Sequence, residues 1–396
     1  MKIIHISIYP PKGEKHATAG GVASYTKNLI TNIPYSKNDQ VFVLTNKLDN
    51  KRDECIENGI KIIRCFDKKP KFFWQILKEV RKINPDTIHI QQELALFGNT
   101  LTAYLLQWLL VVLKKYNLII TLHGVVSLEK INKKFIKENN SNLPVWLTKI
   151  AFRIIYKPLC LWSDKIIVHE EYFKNILIKE YKVDNNKIET IYHGVEDFQT
   201  IDKEDACKIL GINPTKDICL FMGYLTGYKG IDLLIEGFSE YAQKNSNTFL
   251  IIGAGKHPKL KDDKIYLQEY KRLQGKAEKM IPKNQYKWVG FIDEEEIGVY
   301  YSASDVSIYP YTISMSSSGP MAIAIGYQKP FIASDVFKEV LPEKFIFQRN
   351  EKALSKKIEE FFHNQEIFQK EISEMKNNRL WTRVGQQTFN LYKNNL

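Results

Sequence analysis

One pattern, run through twice, sets what this chain can fold into: a short apolar run followed by a longer stretch with helical spacing. In the first half the apolar runs fall at residues 2–7, 41–45, 60–65, 87–91, 118–122 and 165–168. Between most of them lie stretches such as 22–32 and 73–83, whose apolar residues recur at helical intervals. The alternation restarts after residue 200, with runs at 218–222, 248–253, 286–290, 305–309 and 330–333. Helical stretches follow at 231–242, 267–280, 294–304, 321–327 and 353–363. Short, nearly continuous apolar runs are strands buried on both faces, so each series predicts a parallel sheet between two helical layers. Two series predict two doubly wound domains. The polar stretch 196–203 (EDFQTIDK) sets the expected boundary, with 1–196 as the first domain and 197–378 as the second. Residues 379–396 read as a terminal amphipathic helix with Trp381, Val384, Phe389 and Leu391 on its apolar side. Ligands of such sheets bind at the carboxyl ends of the strands, and a cleft between two such sheets is the expected site.

Composition narrows the function classes. The 396 residues are 44% hydrophobic and 26% charged, which excludes a fibrous or wholly disordered chain. Cys55, Cys65, Cys160, Cys207 and Cys219 are scattered and form no C-x-x-C pair, so neither a zinc site nor a disulfide scaffold is expected. With no secretory signal read at the start, they fit a reducing cytoplasm. The net charge of +12 points to anionic partners: a nucleotide, a phosphorylated substrate or an anionic membrane. No nucleic-acid-binding module is present, so nucleic acid is not an expected partner. The longest apolar run, 101–113, is shorter than the ~20 residues that cross a bilayer and is ended by Lys114 and Lys115. It reads as a buried helix.

Glycines and histidines stand at the ends of the expected strands. Gly20 and Gly21 precede a helix, where free N–H groups favour anions, though a plain loop pair has the same form. Gly223, Gly227 and Gly230 surround Lys229 after the run 218–222. This reads as a diphosphate clamp or as a surface lysine in a loop; it is not a Walker loop. Ser316, Ser317, Ser318 and Gly319 precede the helix that begins at Pro320, and suit either capping or phosphate. His123 and His193 each end a strand in an H-G-V setting, and Glu93 follows another strand. No metal-ligand spacing and no G-x-S-x-G elbow occurs.

Taken in order, these pieces resemble the retaining glycosyltransferases of family 4. The resemblance rests on Gly20-Gly21-Val22 with Tyr25, on 90–98 (IQQELALFG), on 121–125 (TLHGV) and on 191–195 (IYHGV). It continues through Gly223 to Lys229-Gly230, then 253–255 (GAG), 289–292 (VGFI), 304–310 (SDVSIYP) and 329–335 (KPFIASD). The resemblance implies the GT-B fold: two facing Rossmann-like domains, with a C-terminal helix crossing back to the first. It implies retaining, metal-independent transfer of a hexose, mannose or glucose, from a nucleotide diphosphate sugar to a glycan or lipid-linked acceptor. No cofactor is implied. Lys229 would neutralise the leaving group, and His123 would lie beside the reacting sugar. Gly20, Gly21, Gly223, Thr226, Gly255 and the 316–319 run would line the donor. Tyr25, Glu93 and His193 would lie on the acceptor side.

The chain departs from the family pattern in two places. The usual arginine before the clamp lysine is replaced by Thr226, and the two acids of the E-x7-E motif by Met315 and Ile323. The S-S-G-P run is similar to a branch with S-S-G at the first acid. The departures raise a second reading, a non-catalytic relative that binds a nucleotide sugar or glycan, or supports a partner enzyme. Residues 130–162 are basic and aromatic, with Lys133, Lys134 and Lys137 ahead of Trp146, Phe152 and Tyr156. Two readings fit that segment: a peripheral contact with the inner face of an anionic membrane, or a helix packed on the first domain with its lysines in water.

Overall fold

A computed structural model describes residues 1–12, 21–138, 143–256, 260, 262–313 and 318–394. The chain divides into two compact units, Met1–Gly194 with Trp381–Leu396, and Val195–Leu380.

The first unit runs β1 (Lys2–Ile6), α1 (Gly21–Asn32), β2 (Gln40–Asn46), β3 (Asp53–Glu57), β4 (Ile60–Phe66), α2 (Phe72–Ile83), β5 (Thr87–Gln92) and α3 (Thr100–Leu113). It continues with β6 (Asn117–Leu122), α4 (Lys133–Glu138), α5 (Val145–Trp162), β7 (Lys165–Val168), α6 (Glu171–Lys179) and β8 (Ile188–Thr190). Its sheet has the order β3-β4-β2-β1-β5-β6-β7-β8. Strands β1, β5 and β6 are buried along almost their whole length because both faces of the sheet are covered. The sheet is not purely parallel, as the alternation alone suggests. Strand β3 pairs antiparallel with β4 through a turn at Asn58 and Gly59, both with positive φ. Its polar sequence DECIE hides it from a search for apolar runs, and suits an edge strand.

The second unit runs α7 (Lys203–Leu210), β9 (Asp217–Tyr224), α8 (Ile231–Lys244), β10 (Thr248–Gly255), α9 (Lys264–Met280), β11 (Tyr286–Trp288) and α10 (Ile297–Ala303). Then come β12 (Val306–Tyr309), α11 (Gly319–Gly326), β13 (Phe331–Ser334), β14 (Ile346–Phe347), α12 (Glu351–His363) and α13 (Gln365–Arg379). The described strands form one parallel sheet in the order β11-β10-β9-β12-β13-β14. It has its own core, in which Phe221, Leu234, Phe238, Ile251, Ile308 and Phe331 are fully buried.

After Leu380 the chain returns to the first unit as α14 (Trp381–Asn394). Gly385 of α14 lies so close to α1 that a β-carbon there would meet the Asn32 carbonyl oxygen at 2.1 Å. Trp381, Val384 and Phe389 are buried as their spacing suggests. Tyr392 is fully buried too, while Leu391 is only partly covered.

Candidate active site

In each sheet the chain leaves the central strand in opposite directions along the sheet, and a crevice opens where it does so. In the second unit that point lies between β9 and β12. The loop after β9 carries Gly223 to Gly230 and β12 is followed by Pro310 and Tyr311, so the two segments meet there. Gly230 has φ +68°, and a β-carbon on it would stand 1.8 Å from the Pro310 carbonyl oxygen. Only glycine lets the two loops approach this closely.

Lys229 sits in this crevice and is buried, only 6% exposed. Its Nζ donates a hydrogen bond to the Tyr311 hydroxyl and lies 4.0 Å from the Tyr311 ring centre and 5.3 Å from that of Tyr228. The Tyr311 and Ser318 hydroxyls are 3.1 Å apart, and Ser318 Oγ accepts from the Met321 N–H as the cap of α11. Burial raises the Tyr311 phenol above its ordinary range, so the partner of Lys229 is a neutral hydroxyl. Among the described residues Lys229 pairs with no carboxylate. Burial pulls its ammonium down to about 8. A caged cation beside a helix start, without an acid of its own, is a receptor for an anion. Nearby, Thr226 has a buried Oγ1 with no hydrogen-bond partner among the described residues.

A groove of about 1100 Å³ lies beside the same loop, bordered by Thr226, Gly227 and Gly230. Asp232, Glu236 and Glu269 line it. Arg272 and Lys276 already hold these acids. Its acidic lining has the wrong sign for a diphosphate, and Lys229 is not among its walls.

In the first unit, polar side chains of successive strands form a row. His89 on β5 contacts the Tyr392 hydroxyl through Nδ1 at 2.6 Å and Thr121 Oγ1 through Nε2 at 2.7 Å. Gln91 lies between His89 and His123, 3.2 Å from His89 Nε2 and 2.9 Å from His123 Nε2. His123 Nδ1 is 3.3 Å from His169 Nε2, and His169 Nδ1–H donates to the Ile191 carbonyl at 3.0 Å. Both ring nitrogens of His123 are therefore held. Burial, then the neighbouring His169, His193 and His89, keep His123 well below the ordinary imidazole range. It is a neutral ring at neutral pH.

Tyr25 of α1 is 2% exposed, with its ring centre 4.7 Å from His123, 4.9 Å from His169, 5.1 Å from His193 and 5.2 Å from Trp381. Burial gives Tyr25 the place of a wall that supports the histidines. His193 is half-buried against Trp381, and a β-carbon on Gly194 would meet Trp381 at 2.2 Å. The second H-G pair is thus a packing requirement. Among the described residues nothing crowds the equivalent position of Gly124.

The same chain matches two family models, Glycosyltransferase Family 4 over residues 19–197 and Glycosyl transferases group 1 over residues 202–379. The chain is a glycosyltransferase, each half matched by its own model. Among curated proteins it is 22% identical to an uncharacterized glycosyltransferase of Methanocaldococcus jannaschii, over 84% of this chain and 81% of that protein. It is 24% identical to an uncharacterized 41.2 kDa protein in the cps region of Klebsiella pneumoniae, over 87% and 83%. Solved structures with the same fold include a sucrose-phosphate synthase from Thermosynechococcus elongatus, with TM-score 0.67 and 18% identity over 99% of this chain and 98% of that one. HepE of Anabaena in complex with UDP gives TM-score 0.67 and 14% identity over the whole of both chains. The two parallel-sheet halves and the final helix α14 are those of the GT-B fold.

Within this glycosyltransferase the expected donor residues divide. Gly223, Thr226, Lys229, Ser318 and Gly319 come together at the β9/β12 crevice. Gly223 has φ +148°, and a β-carbon there would lie 3.6 Å from the end of the Lys229 side chain. Gly255 ends β10 and packs tightly on Phe291, where a β-carbon would meet Cδ2 at 2.8 Å. Gly21 opens α1, and no described residue comes within 4 Å of a β-carbon placed there. Glu93 is exposed just past β5. Gly20, Met315, Ser316 and Ser317 lie outside the described residues. Ile323, at the second acid position, is a partly buried apolar residue of α11 packed on the core. Tyr228 and Tyr311, which cage Lys229, carry no sequence signal beyond being aromatic. Gln91 and His169 were visible only as polar residues in or just after apolar runs.

Proposed function

We propose that this glycosyltransferase moves a hexose, mannose or glucose, from a nucleotide diphosphate sugar to a glycan or lipid-linked acceptor with retention and without a metal. The observation that carries the reading is Lys229: a buried ammonium with no carboxylate partner among the described residues, beside the start of α11. In this role it holds the diphosphate and neutralises the charge that grows on it as the sugar leaves. Gly223 and the α11 start let the backbone reach the phosphates, and the family resemblance assigns Ser316, Ser317, Ser318 and Gly319 to the same ligand. The second unit thus binds the donor, with Gly255 at its edge. The first unit takes the acceptor, and the family resemblance assigns Gly20 and Gly21 to the donor phosphate. His123, neutral and held at both nitrogens, lies beside the reacting sugar, and its main chain faces the positive charge developing there. Glu93 and His193 meet the acceptor, with Tyr25 behind. HepE, of the same fold, was solved with UDP, with UDP and glucose, and with UDP-glucose, which supports a nucleotide sugar as donor. The five free cysteines, four of them buried, suit work in the cytoplasm.

Thr226, with its unpartnered buried hydroxyl, and Ile323, which has no carboxylate, favour the second reading, a non-catalytic binder of a nucleotide sugar. One experiment separates the two. Wild-type protein and Lys229→Ala are incubated with labelled UDP- and GDP-hexoses, and release of the nucleotide is followed with and without acceptor glycans. Turnover that Lys229→Ala abolishes supports the enzyme. Nucleotide-sugar binding with no turnover by the wild type supports the binder.

A further inference from the structure

Helices α2, α3 and α5 each carry the chain in the same direction along the first sheet, α2 from β4 across β2 and β1 to β5, α3 from β5 to β6 and α5 from β6 to β7. Right-handed crossovers in one direction lay all three on one face, and neighbouring helices of the set pack together. Their inner sides fill the main core of this unit through Ile76, Leu106, Leu110 and Leu159. Their outer side is unusual. Each helix presents a tryptophan to solvent: Trp74 is 68% exposed, Trp108 65% and Trp146 64%.

The exposed apolar residues continue along α3 and α5. On α3, Leu101, Trp108 and Val112 recur on one side. On α5, Trp146, Ile150, Ile154 and Leu161 do the same. Within α5 the exposed large apolar residues are this stripe, whereas Tyr156 is buried and Phe152 packs on the core. Likewise only one side of the 101–113 run is buried, and the other faces outward.

The charges on these helices have one sign. Helix α2 carries Lys78, Arg81 and Lys82, and α5 carries Lys149, Arg153 and Lys157. Helix α3 carries no charge at all. The one acid in the three helices, Glu79, is buried and paired with Arg52. On α5 the cations follow at i, i+4 and i+8, a stripe next to the apolar one. Long basic side chains in that position reach past an apolar face to a charged plane.

We propose that the outer face of α2, α3 and α5 rests on an anionic lipid surface. The three tryptophans enter the interfacial layer and the flanking lysines and arginines meet acidic headgroups. The face commits to lipid over a second copy of this chain, because two copies joined through it would bring basic stripes together with no acid to offset them. The surface stands apart from the transfer reaction and does not rest on it.

The test uses the full chain and vesicles of phosphatidylcholine alone or with about 30% phosphatidylglycerol, a content high enough to give a negative surface potential. Co-sedimentation and tryptophan emission are read at low and high salt. The expected result is binding and a blue shift on the anionic vesicles, with both weakened by salt. Trp74→Ser/Trp108→Ser/Trp146→Ser and Lys149→Glu/Arg153→Glu/Lys157→Glu should each weaken it by more than about tenfold at an unchanged melting temperature. Wild-type protein that ignores anionic vesicles, or variants that bind as well as wild type, overturn the proposal. So does a concentration-dependent dimer that the tryptophan variant abolishes, which assigns the face to a second copy. Nucleotide-sugar hydrolysis, measured on the same samples, is expected to be unaffected, so loss of lipid binding and loss of the transfer reading are told apart.

Discussion

Lys229 is caged by Tyr228 and Tyr311 and held at about 8 by burial, against an ordinary lysine value of 10.5. Between those values the unfolded chain keeps a proton that the folded chain has released. Stability from this group is therefore lowest below about pH 8 and rises toward 10.5. Anion binding has the opposite trend, because it needs the ammonium. Calorimetric titration of the donor nucleotide should show constant affinity below about pH 8 and a fall of up to about tenfold per pH unit above it. Lys229→Met should weaken binding by roughly 10- to 100-fold, the worth of one charged hydrogen bond, and remove the pH break. Its melting temperature at pH 7 should not fall, since methionine fills the cage without a buried charge. In the first unit His5 is pushed down to about 3, and His89 and His123 well below 6.5, chiefly by burial. All three accept protons in the unfolded chain before they do in the folded one. The stability they give is present above pH 6.5 and is lost as pH falls below it, by up to about 1.4 kcal/mol per pH unit for each ring. Urea midpoints measured from pH 7 to pH 5 should drop accordingly, and His89→Asn should flatten the slope.

At the level of the elements, close backbone approaches hold the site and the last helix. Gly230 takes a left-handed conformation against Pro310, so Gly230→Ala should cost about 2–4 kcal/mol and displace Lys229 with it. Loss of nucleotide binding together with stability is the expected readout. Gly385 lets α14 sit directly on α1, and Gly385→Ala should cost about 1–3 kcal/mol by prising them apart. Chemical denaturation measures that cost, and faster proteolytic release of the final helix should accompany it. The two H-G pairs show how one local pattern serves different ends. At Gly194 the missing β-carbon makes room for Trp381, whereas at Gly124 no such neighbour exists among the described residues. Trp381 is 187 positions away from Gly194, so no local reading of IYHGV distinguishes the two settings.

At the scale of the whole molecule, each unit has its own sheet and its own core. Calorimetry should resolve two transitions if the units unfold separately. A nucleotide sugar at one hundred times its dissociation constant should then raise the transition of Val195–Leu380 by about 2.7 kcal/mol of stabilisation and leave the other in place. A shift of the first unit alone would move the donor site to that unit.

The sequence by itself determined the two α/β halves, the glycine-flanked lysine and the order of short motifs along the chain. Buried strands must be apolar on both faces, amphipathic helices must repeat at their own period, and turns need their glycines, so each of these is written in neighbouring residues. The edge strand β3 escaped because DECIE contains no apolar run. The tertiary structure alone decided that Lys229 is a caged cation and not a surface lysine, because Tyr311 reaches it from 82 positions away. It alone joined His89 to Tyr392 across 303 positions, and turned Tyr25 inward to support the histidine row. It alone set three tryptophans of separate helices on one outer face. Burial, pKa and exposure are properties of a side chain's neighbours, and in this chain those neighbours come from distant parts of the sequence.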